Sequence, residues 1–386
     1  MKKVGIIPLR KGSKSIIGKN KKKILGRPLF SWVLAEAVFS NLDEVYIFTD
    51  DDFIIEFVSK NYTWSSKVKT LKRNDENAND KATTESAIFE FSKLIDHDFD
   101  ILCLLQATSP LTTSIDINNC LDKILIENYD SSLSVVRTHR FIWSENGEPV
   151  NYDFLNRPRR QDFKGLLVEN GAVYTTKKES FTKVNNRISG NIGLVEMEED
   201  TLVEIDTEND WLVVEQLLKN RLKKQRIAQQ IKHLILDVDG VFTNGTVAFG
   251  KDGEIFKEFD MRDGMGLEVL REQGVEVMVM TSEDSELVKQ RMNKLKIDNA
   301  YLGVKDKFSL LKFISIKENV NFNTMAYVGD DINDLAPMCA VGWSFTPANA
   351  MLKIKEIADV ILTNEGGKGA IREVSNFIIN YNKRYE

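Results

Sequence analysis

The decapeptide Leu234-Ile235-Leu236-Asp237-Val238-Asp239-Gly240-Val241-Phe242-Thr243 carries the strongest fold signal in the chain. A run of branched apolar residues that stops at Asp-x-Asp-Gly reads as a buried parallel strand whose C-terminal mouth presents two carboxylates. In open α/β sheets that mouth is where ligands bind. The second acid is expected where the strand has already turned into loop, a turn that Gly240 permits. On this decapeptide alone the alternative is a strand end with solvated acids.

The chain of 386 residues exceeds what one core usually holds, so two domains are expected, and a hydrophobic content of 42% is ample for both. A net charge of −6 argues against nucleic acid as the main partner. Cys103, Cys120 and Cys339 are odd in number and widely spaced, which suits free thiols in a reducing compartment. With only His97, His139 and His233, carboxylates, lysines, arginines and metal must carry the chemistry. No apolar run approaches the roughly 18 residues of a membrane span. A soluble, cytoplasmic protein without membrane partners is expected.

The first 30 residues hold ten cations and no acid. Val4-Gly5-Ile6-Ile7-Pro8-Leu9 reads as a strand, followed by the glycine-punctuated basic loop Arg10 to Asn20. Such a loop invites polyphosphate, because backbone N–H groups and lysines can surround the charge; a solvated basic loop is the plain alternative. A Walker A reading fails, since five residues separate Gly12 from Gly18 and Asn20 replaces the Ser or Thr. Helical patterns at 30–39, 51–60 and 83–94 then alternate with strands at 44–50, 100–105 and 131–136, a doubly wound α/β pattern. The arginines Arg157, Arg159 and Arg160 suggest an anion clamp or, equally, a surface cluster.

Ile6 to Lys14 with Gly18-Lys19-Asn20, Thr49-Asp50, Arg73, Gln106-Ala107-Thr108-Ser109-Pro110, Arg157 to Asp162, Asn170-Gly171-Ala172 and Ile205-Asp206 together resemble the acylneuraminate cytidylyltransferases, in order, over about residues 1 to 220. Departures are Leu9 for Ala, Lys11-Gly12 for Gly-Gly, and Leu111-Thr112 for Leu-Arg. The resemblance implies a nucleotidyltransferase Rossmann-like domain in which the anomeric hydroxyl of a nine-carbon 2-keto-3-deoxy acid attacks the α-phosphorus of CTP. By it Arg10, Ser13, Lys14 and Lys19 belong to the phosphate-binding loop, Arg10 and Lys19 serving catalysis, and Asn20, Arg73 and Gln106 lie near nucleotide or sugar. Glu204 and Asp206, expected on one face of a strand, match the Mg²⁺-binding acids, although Glu204 stands where the family usually has Asp. Arg159 and Gln161 match the region that holds the sugar acid, often across a dimer interface.

From Thr207 to Lys232 a helix is expected, with Trp211, Val214, Leu217 and Leu218 as its apolar stripe. The boundary is placed near 226, with domains 1–226 and 227–386 joined by a semi-rigid helical connection. Beyond Asp237-Val238-Asp239 the pattern gives a hairpin turning at Asp252-Gly253, a strand ending in Thr281-Ser282-Glu283, then Lys305-Asp306-Lys307, and a strand ending in Gly329-Asp330-Asp331-Ile332-Asn333-Asp334. Four polar clusters at successive strand mouths can converge on one site.

This order resembles the haloacid dehalogenase phosphatases, and Thr243-Asn244-Gly245, Arg262 to Gly266 and the Gly366 to Glu373 tail narrow it to the 3-deoxy-manno-octulosonate 8-phosphate phosphatase subfamily. A capless Rossmannoid domain is implied. By the resemblance Asp237 is the nucleophile that becomes an aspartyl-phosphate, Asp239 the general acid and base, and Asp237, Asp330 and the Asp239 carbonyl the Mg²⁺ ligands. Thr281 and Lys307 hold phosphoryl oxygens, Asp331 and Asp334 stand behind them or orient the loop, and Arg372 of the tail contacts substrate. A homotetramer follows, because no cap is inserted and a neighbour must supply the lid.

The chain is thus expected to be a bifunctional enzyme that dephosphorylates a 2-keto-3-deoxy sugar acid phosphate and activates the free acid with CTP. Glu283 and Lys294 resemble the pair of the subclass acting on 2-keto-3-deoxynononate (KDN) 9-phosphate; an ordinary helix-capping Glu and a solvated Lys are the alternative. An N-acetylneuraminate synthetase is the runner-up. Its C-terminal domain would act on an eight-carbon acid 8-phosphate or N-acetylneuraminate 9-phosphate, or serve only in assembly.

Overall fold

A computed structural model describes residues 1–386 except Lys14, Asp75, Glu76, Asn79, Asp80, Lys81 and Asp252. The fold is mixed α/β, in two compact units. Unit 1 comprises Met1–Lys22, Pro28–Ser59 and Ser65–Leu217; unit 2 comprises Lys23–Arg27, Lys60–Trp64 and Leu218–Glu386. The expected parting near 226 has contiguous halves on either side, whereas unit 2 gathers two short early segments as well.

In chain order the first strands are β1 (Lys3–Leu9), the short pair β2 (Lys23–Ile24) and β3 (Arg27–Pro28), β4 (Glu44–Thr49), β5 (Val68–Lys72), β6 (Ile101–Leu105), β7 (Ser131–Thr138), β8 (Leu166–Lys177) and β9 (Ile192–Met197). The sheet of unit 1 has seven strands in the order β5-β4-β1-β6-β8-β7-β9, with β8 antiparallel to its two neighbours and the other pairings parallel. β6, the middle strand of the seven, is buried throughout, as a continuous apolar run covered on both faces requires. Ile6, Phe48, Phe91, Leu104 and Tyr174 join in the core of this unit. The helix Ser114–Leu125 starts at a capping box made by Thr113 and Asp116.

Unit 2 continues with β10 (His233–Leu236), the hairpin strands β11 (Ala248–Gly250) and β12 (Gly253–Phe256), β13 (Glu276–Met280), β14 (Ala300–Tyr301), β15 (Met325–Val328), β16 (Trp343–Thr346) and β17 (Val360–Ile361). Six of these form an all-parallel sheet in the order β14-β13-β10-β15-β16-β17. Leu236 is level with Val279 on one side and Val328 on the other. The residues that follow each strand, Asp237, Thr281 and Gly329-Asp330, therefore emerge at the same edge.

Three expectations change. The helix that follows Thr207 spans Glu208–Lys224 and does not continue to Lys232; residues 226–232 are irregular, and the Ile227 and Ile231 N–H groups donate to Asn323 and Asn382 side chains instead. The segment carrying Glu204 and Asp206 lies outside the strands: it is extended chain after the 3-10 turn Glu199–Leu202, where the Ile205 N–H donates to the Thr108 carbonyl at 2.9 Å. The hairpin turns earlier than expected, since Gly253 already belongs to its second strand and pairs with Gly250, and it has a register irregularity at Ala248–Phe249. Its turn residue Asp252 lies outside the described residues. No described helix is long and apolar enough to cross a membrane.

Candidate active sites

In unit 2, Asp237 sits one residue past β10, 4% exposed, with its N–H donating to the Val328 carbonyl at 3.0 Å. Val238 N–H donates to its Oδ1 at 2.7 Å. Lys307 opens the helix Lys307–Lys317 and is itself buried. Its ammonium lies 2.8 Å from Asp237 Oδ2 and 2.7 Å from Asp334 Oδ1. Burial acts against that charge, but the two carboxylates outweigh it and hold the lysine above its usual range.

Asp334 anchors this arrangement. Tyr327 donates its hydroxyl to Oδ1 at 2.8 Å, and the Asp330 and Asp331 N–H groups donate to Oδ2 at 3.1 and 3.4 Å. With both oxygens so engaged, Asp334 holds the loop and the lysine in place. Asp330 is brought against Gly240: a Cβ there would lie 1.9 Å from Asp330 Oδ2, and φ is +84°. Gly240 is thus required both for the turn and for the acid's approach.

Burial first, then Asp334 and Asp237, push the Asp330 carboxyl up to about 8. Burial likewise raises Asp237, to about 7, with Lys307 opposing. Carboxylate oxygens of Asp237, Asp330 and Asp334 lie within 4.8 Å of one another, and Asp330 Oδ1 is buried without a hydrogen-bond partner. Crowded, desolvated oxygens with one orphaned atom fit a hard divalent cation, which would compensate the charge that protons otherwise must.

Asp239, immediately before Gly240, is one-third exposed, and Lys257 Nζ donates to its Oδ1 at 2.7 Å. Sequence reasoning missed Lys257, a lone lysine just after a hairpin strand whose side chain is 2% exposed and also lies 3.5 Å from Glu254. Thr281 is buried at the mouth of β13, and its hydroxyl accepts from the Glu283 N–H at 3.3 Å. Glu283 is exposed, and so is Lys294 in the last turn of the helix Glu286–Lys294. Among the described residues no hydrogen bond or ion pair joins them. Arg372 donates its N–H to Asp263 and lines a separate cavity of about 240 Å³ with Arg262, Thr363 and Asn376.

In unit 1, a cavity of about 480 Å³ opens at the ends of β1 and β6, lined by Arg10, Ser13, Lys19, Asn20, Arg73, Gln106 and Asp206 among others. Lys14 lies outside the described residues. Lys19 Nζ donates to the Ile205 carbonyl at 2.9 Å and lies 3.1 Å from Asp206. Asn20 fixes the loop by donating to the Arg10 carbonyl at 3.1 Å. Burial, then Asp206, raise the Glu204 carboxyl. Gly171, at φ +69°, leaves the space that Glu204 occupies, since a Cβ there would fall 1.7 Å from its Oε1. Arg159 and Gln161 are exposed and do not line the cavity; Arg159 lies 3.2 Å from Asp162. Thr83 and Thr84, where the helix Thr84–Leu94 begins, line it although the sequence pointed elsewhere.

A cationic cavity beside an acid pair, and a separate cluster of buried carboxylates around a lysine, are two chemical centres in one chain. The model of a family described as cytidylyltransferase matches residues 4–234. The N-acylneuraminate cytidylyltransferase of Oncorhynchus mykiss is 32% identical over 395 aligned positions, covering 98% of this chain and 89% of that one. The 3-deoxy-D-manno-octulosonate 8-phosphate phosphatase of Haemophilus influenzae is 36% identical over 155 positions, 40% of this chain and 86% of that protein. The chain belongs to the cytidylyltransferase family, and its C-terminal part to that of the 3-deoxy-D-manno-octulosonate 8-phosphate phosphatases. Among solved structures, the cobalt-bound phosphatase of Haemophilus influenzae aligns with a TM-score of 0.39 at 36% identity, over 40% of this chain and 90% of that one.

Proposed function

We propose that the chain transfers CMP from CTP to a nine-carbon 2-keto-3-deoxy sugar acid, with KDN favoured, and hydrolyses the corresponding 9-phosphate. The observation that carries the second activity is Lys307 buried between Asp237 and Asp334 with Asp330 beside them. A domain kept only for assembly has no physical reason to bury four charges at one strand edge.

In the phosphatase centre an Asp237 carboxylate oxygen attacks phosphorus, forming an aspartyl-phosphate as the bond to the sugar oxygen breaks. Asp239 gives its proton to that leaving oxygen, then accepts one from the water that displaces phosphate from Asp237. Lys307 and the Thr281 hydroxyl meet the phosphoryl oxygens and lower the repulsion the incoming carboxylate feels. Asp237, Asp330 and the Asp239 carbonyl would hold Mg²⁺, whose charge supplies further neutralisation. In unit 1 the anomeric hydroxyl attacks the α-phosphorus and pyrophosphate departs. Arg10, Ser13, Lys14 and Lys19 receive the triphosphate, Asn20, Arg73 and Gln106 the nucleoside or sugar, and Glu204 with Asp206 would hold a second Mg²⁺. Arg159 and Gln161, which do not line the cavity within one chain, act on the sugar acid across a dimer.

Glu283 accepts hydrogen bonds from sugar hydroxyls, and Lys294 or Arg372 of a neighbouring chain meets the carboxylate in a homotetramer. N-acetylneuraminate stays the runner-up acceptor, because the relatives matching the full length are named for N-acylneuraminate. The test is phosphate release from eight- and nine-carbon acid phosphates. The nine-carbon deaminated substrate should lead, and Glu283→Arg should narrow the lead; equal turnover of both by the wild type refutes the assignment.

A further inference from the structure

Asp306, the residue before Lys307, is fully buried, and its carboxylate collects partners from far away in the sequence. Arg27 grips it from two nitrogens, Nε at 2.7 Å from Oδ1 and Nη2 at 3.2 Å from Oδ2. The Tyr62 hydroxyl donates to Oδ2 at 2.8 Å, and Ser309 donates its hydroxyl at 2.7 Å and its N–H at 3.3 Å. Asn61 Oδ1 accepts from the Lys305 and Asp306 N–H groups at 2.7 and 3.1 Å, so the peptide is held as well as the side chain. Arg27, Asn61 and Tyr62 are buried too, and all belong to unit 2.

The segment carrying Arg27 also touches a second catalytic loop. Gly26 has φ +79°, and a Cβ there would lie 1.9 Å from the Ile332 carbonyl oxygen, between Asp330 and Asp334. The segment Lys23–Arg27 therefore abuts both the peptide that leads into Lys307 and the loop that carries Asp330, and the segment Lys60–Trp64 abuts the first of these. Asp306 also caps the helix that Lys307 begins. A bidentate guanidinium fork fixes a carboxylate in direction as well as distance. Shifting Asp306 must shift the ammonium one residue on, which sits between two carboxylates at hydrogen-bonding distance.

We infer that Arg27 and Tyr62 are positioning residues for Lys307, so that phosphatase turnover depends on segments lying within the stretch that matches the cytidylyltransferase model. This rests on the phosphatase reading above. The test uses full-length Tyr62→Phe and Arg27→Met against wild type, with phosphate release from the sugar acid phosphates and from p-nitrophenyl phosphate, CMP-sugar synthesis, and amide hydrogen exchange at 305–309. A displacement on the order of 1 Å can cost about 100-fold. Arg27→Met is expected to lose about that in phosphatase kcat with KM within about twofold, Tyr62→Phe several-fold less, with CMP transfer retained and exchange at 305–309 accelerated. Should Arg27→Met fail to fold, Tyr62→Phe lacks only one hydroxyl and still decides. Unchanged kcat in Tyr62→Phe with unchanged exchange overturns the inference, as does a fall in KM-type binding alone. If the wild type releases no phosphate from any probe, the phosphatase reading falls; the bracing is then judged by exchange alone, and unchanged protection at 305–309 overturns it.

Discussion

Replacing Lys307 by methionine keeps the length of the side chain and removes its charge from between two buried acids. With Nζ at 2.8 and 2.7 Å from Asp237 and Asp334, each attraction is on the order of 6 kcal/mol at an effective dielectric of about 20. Desolvation cancels much of this, and deleting one partner of a buried pair costs about 3–5 kcal/mol net. Protonation relieves the buried acids that lose the lysine's charge: Asp237 already lies at about 7 with the lysine present, and Asp330, beside it and also held down by that charge, at about 8. The loss should therefore be smaller near pH 5 than near pH 8. Urea denaturation of chelator-treated wild type and Lys307→Met, followed by amide exchange in β10 and β15, measures it. Phosphatase kcat should fall about 100- to 1000-fold, the effect of removing one preorganised charge from a developing anionic centre. A fall below tenfold in a folded variant, or an equal loss of stability at both pH values, would refute the reasoning.

Without metal, Asp237 and Asp330 carry raised values in the folded state, so the stability they confer is complete below the ordinary carboxylate range and is lost as pH rises through about 7 and 8. Melting of chelated protein should drop over that window and Mg²⁺ should restore it most at the alkaline end; a flat profile contradicts the metal assignment. Gly240→Ala must place a methyl where Asp330 now lies, at a positive φ costing about 1–2 kcal/mol; isothermal titration should show Mg²⁺ affinity at unit 2 weakened at least tenfold. Light scattering should give a tetramer, with the exposed Phe249, Ile255 and Phe256 of the hairpin covered; a fully active monomer rules that out.

Much of the phosphatase centre was legible because each strand ends where an apolar run meets a polar cluster, and a parallel sheet puts such ends together without further information. The grouping of the clusters that contain Asp237, Thr281, Lys307 and Asp330 follows from that, while the choice of these residues within each cluster rests on the resemblance to the phosphatase family. β5, with its half-polar Val-Lys-Thr-Leu-Lys, escaped notice because an edge strand needs only one apolar face. The helix Ser114–Leu125 announces itself through Thr113 and Asp116, a signal present and not read. The helix Glu208–Lys224 was overextended because nothing in 225–232 breaks a helix locally; tertiary partners at Asn323 and Asn382 claim that backbone instead. Lys257 on Asp239 and Arg27 on Asp306 were invisible in principle, since only the fold brings such distant charges together.

If two independent reactions reside in one chain, Asp237→Asn separates them. An amide fills the space of the carboxylate but is a poor nucleophile. Phosphate release from KDN 9-phosphate and pyrophosphate release from CTP with free KDN should be followed in the same preparation. Phosphatase turnover is predicted to vanish while pyrophosphate release stays within about twofold of wild type; parallel loss of both in a folded variant, or undiminished phosphatase turnover, would contradict the account.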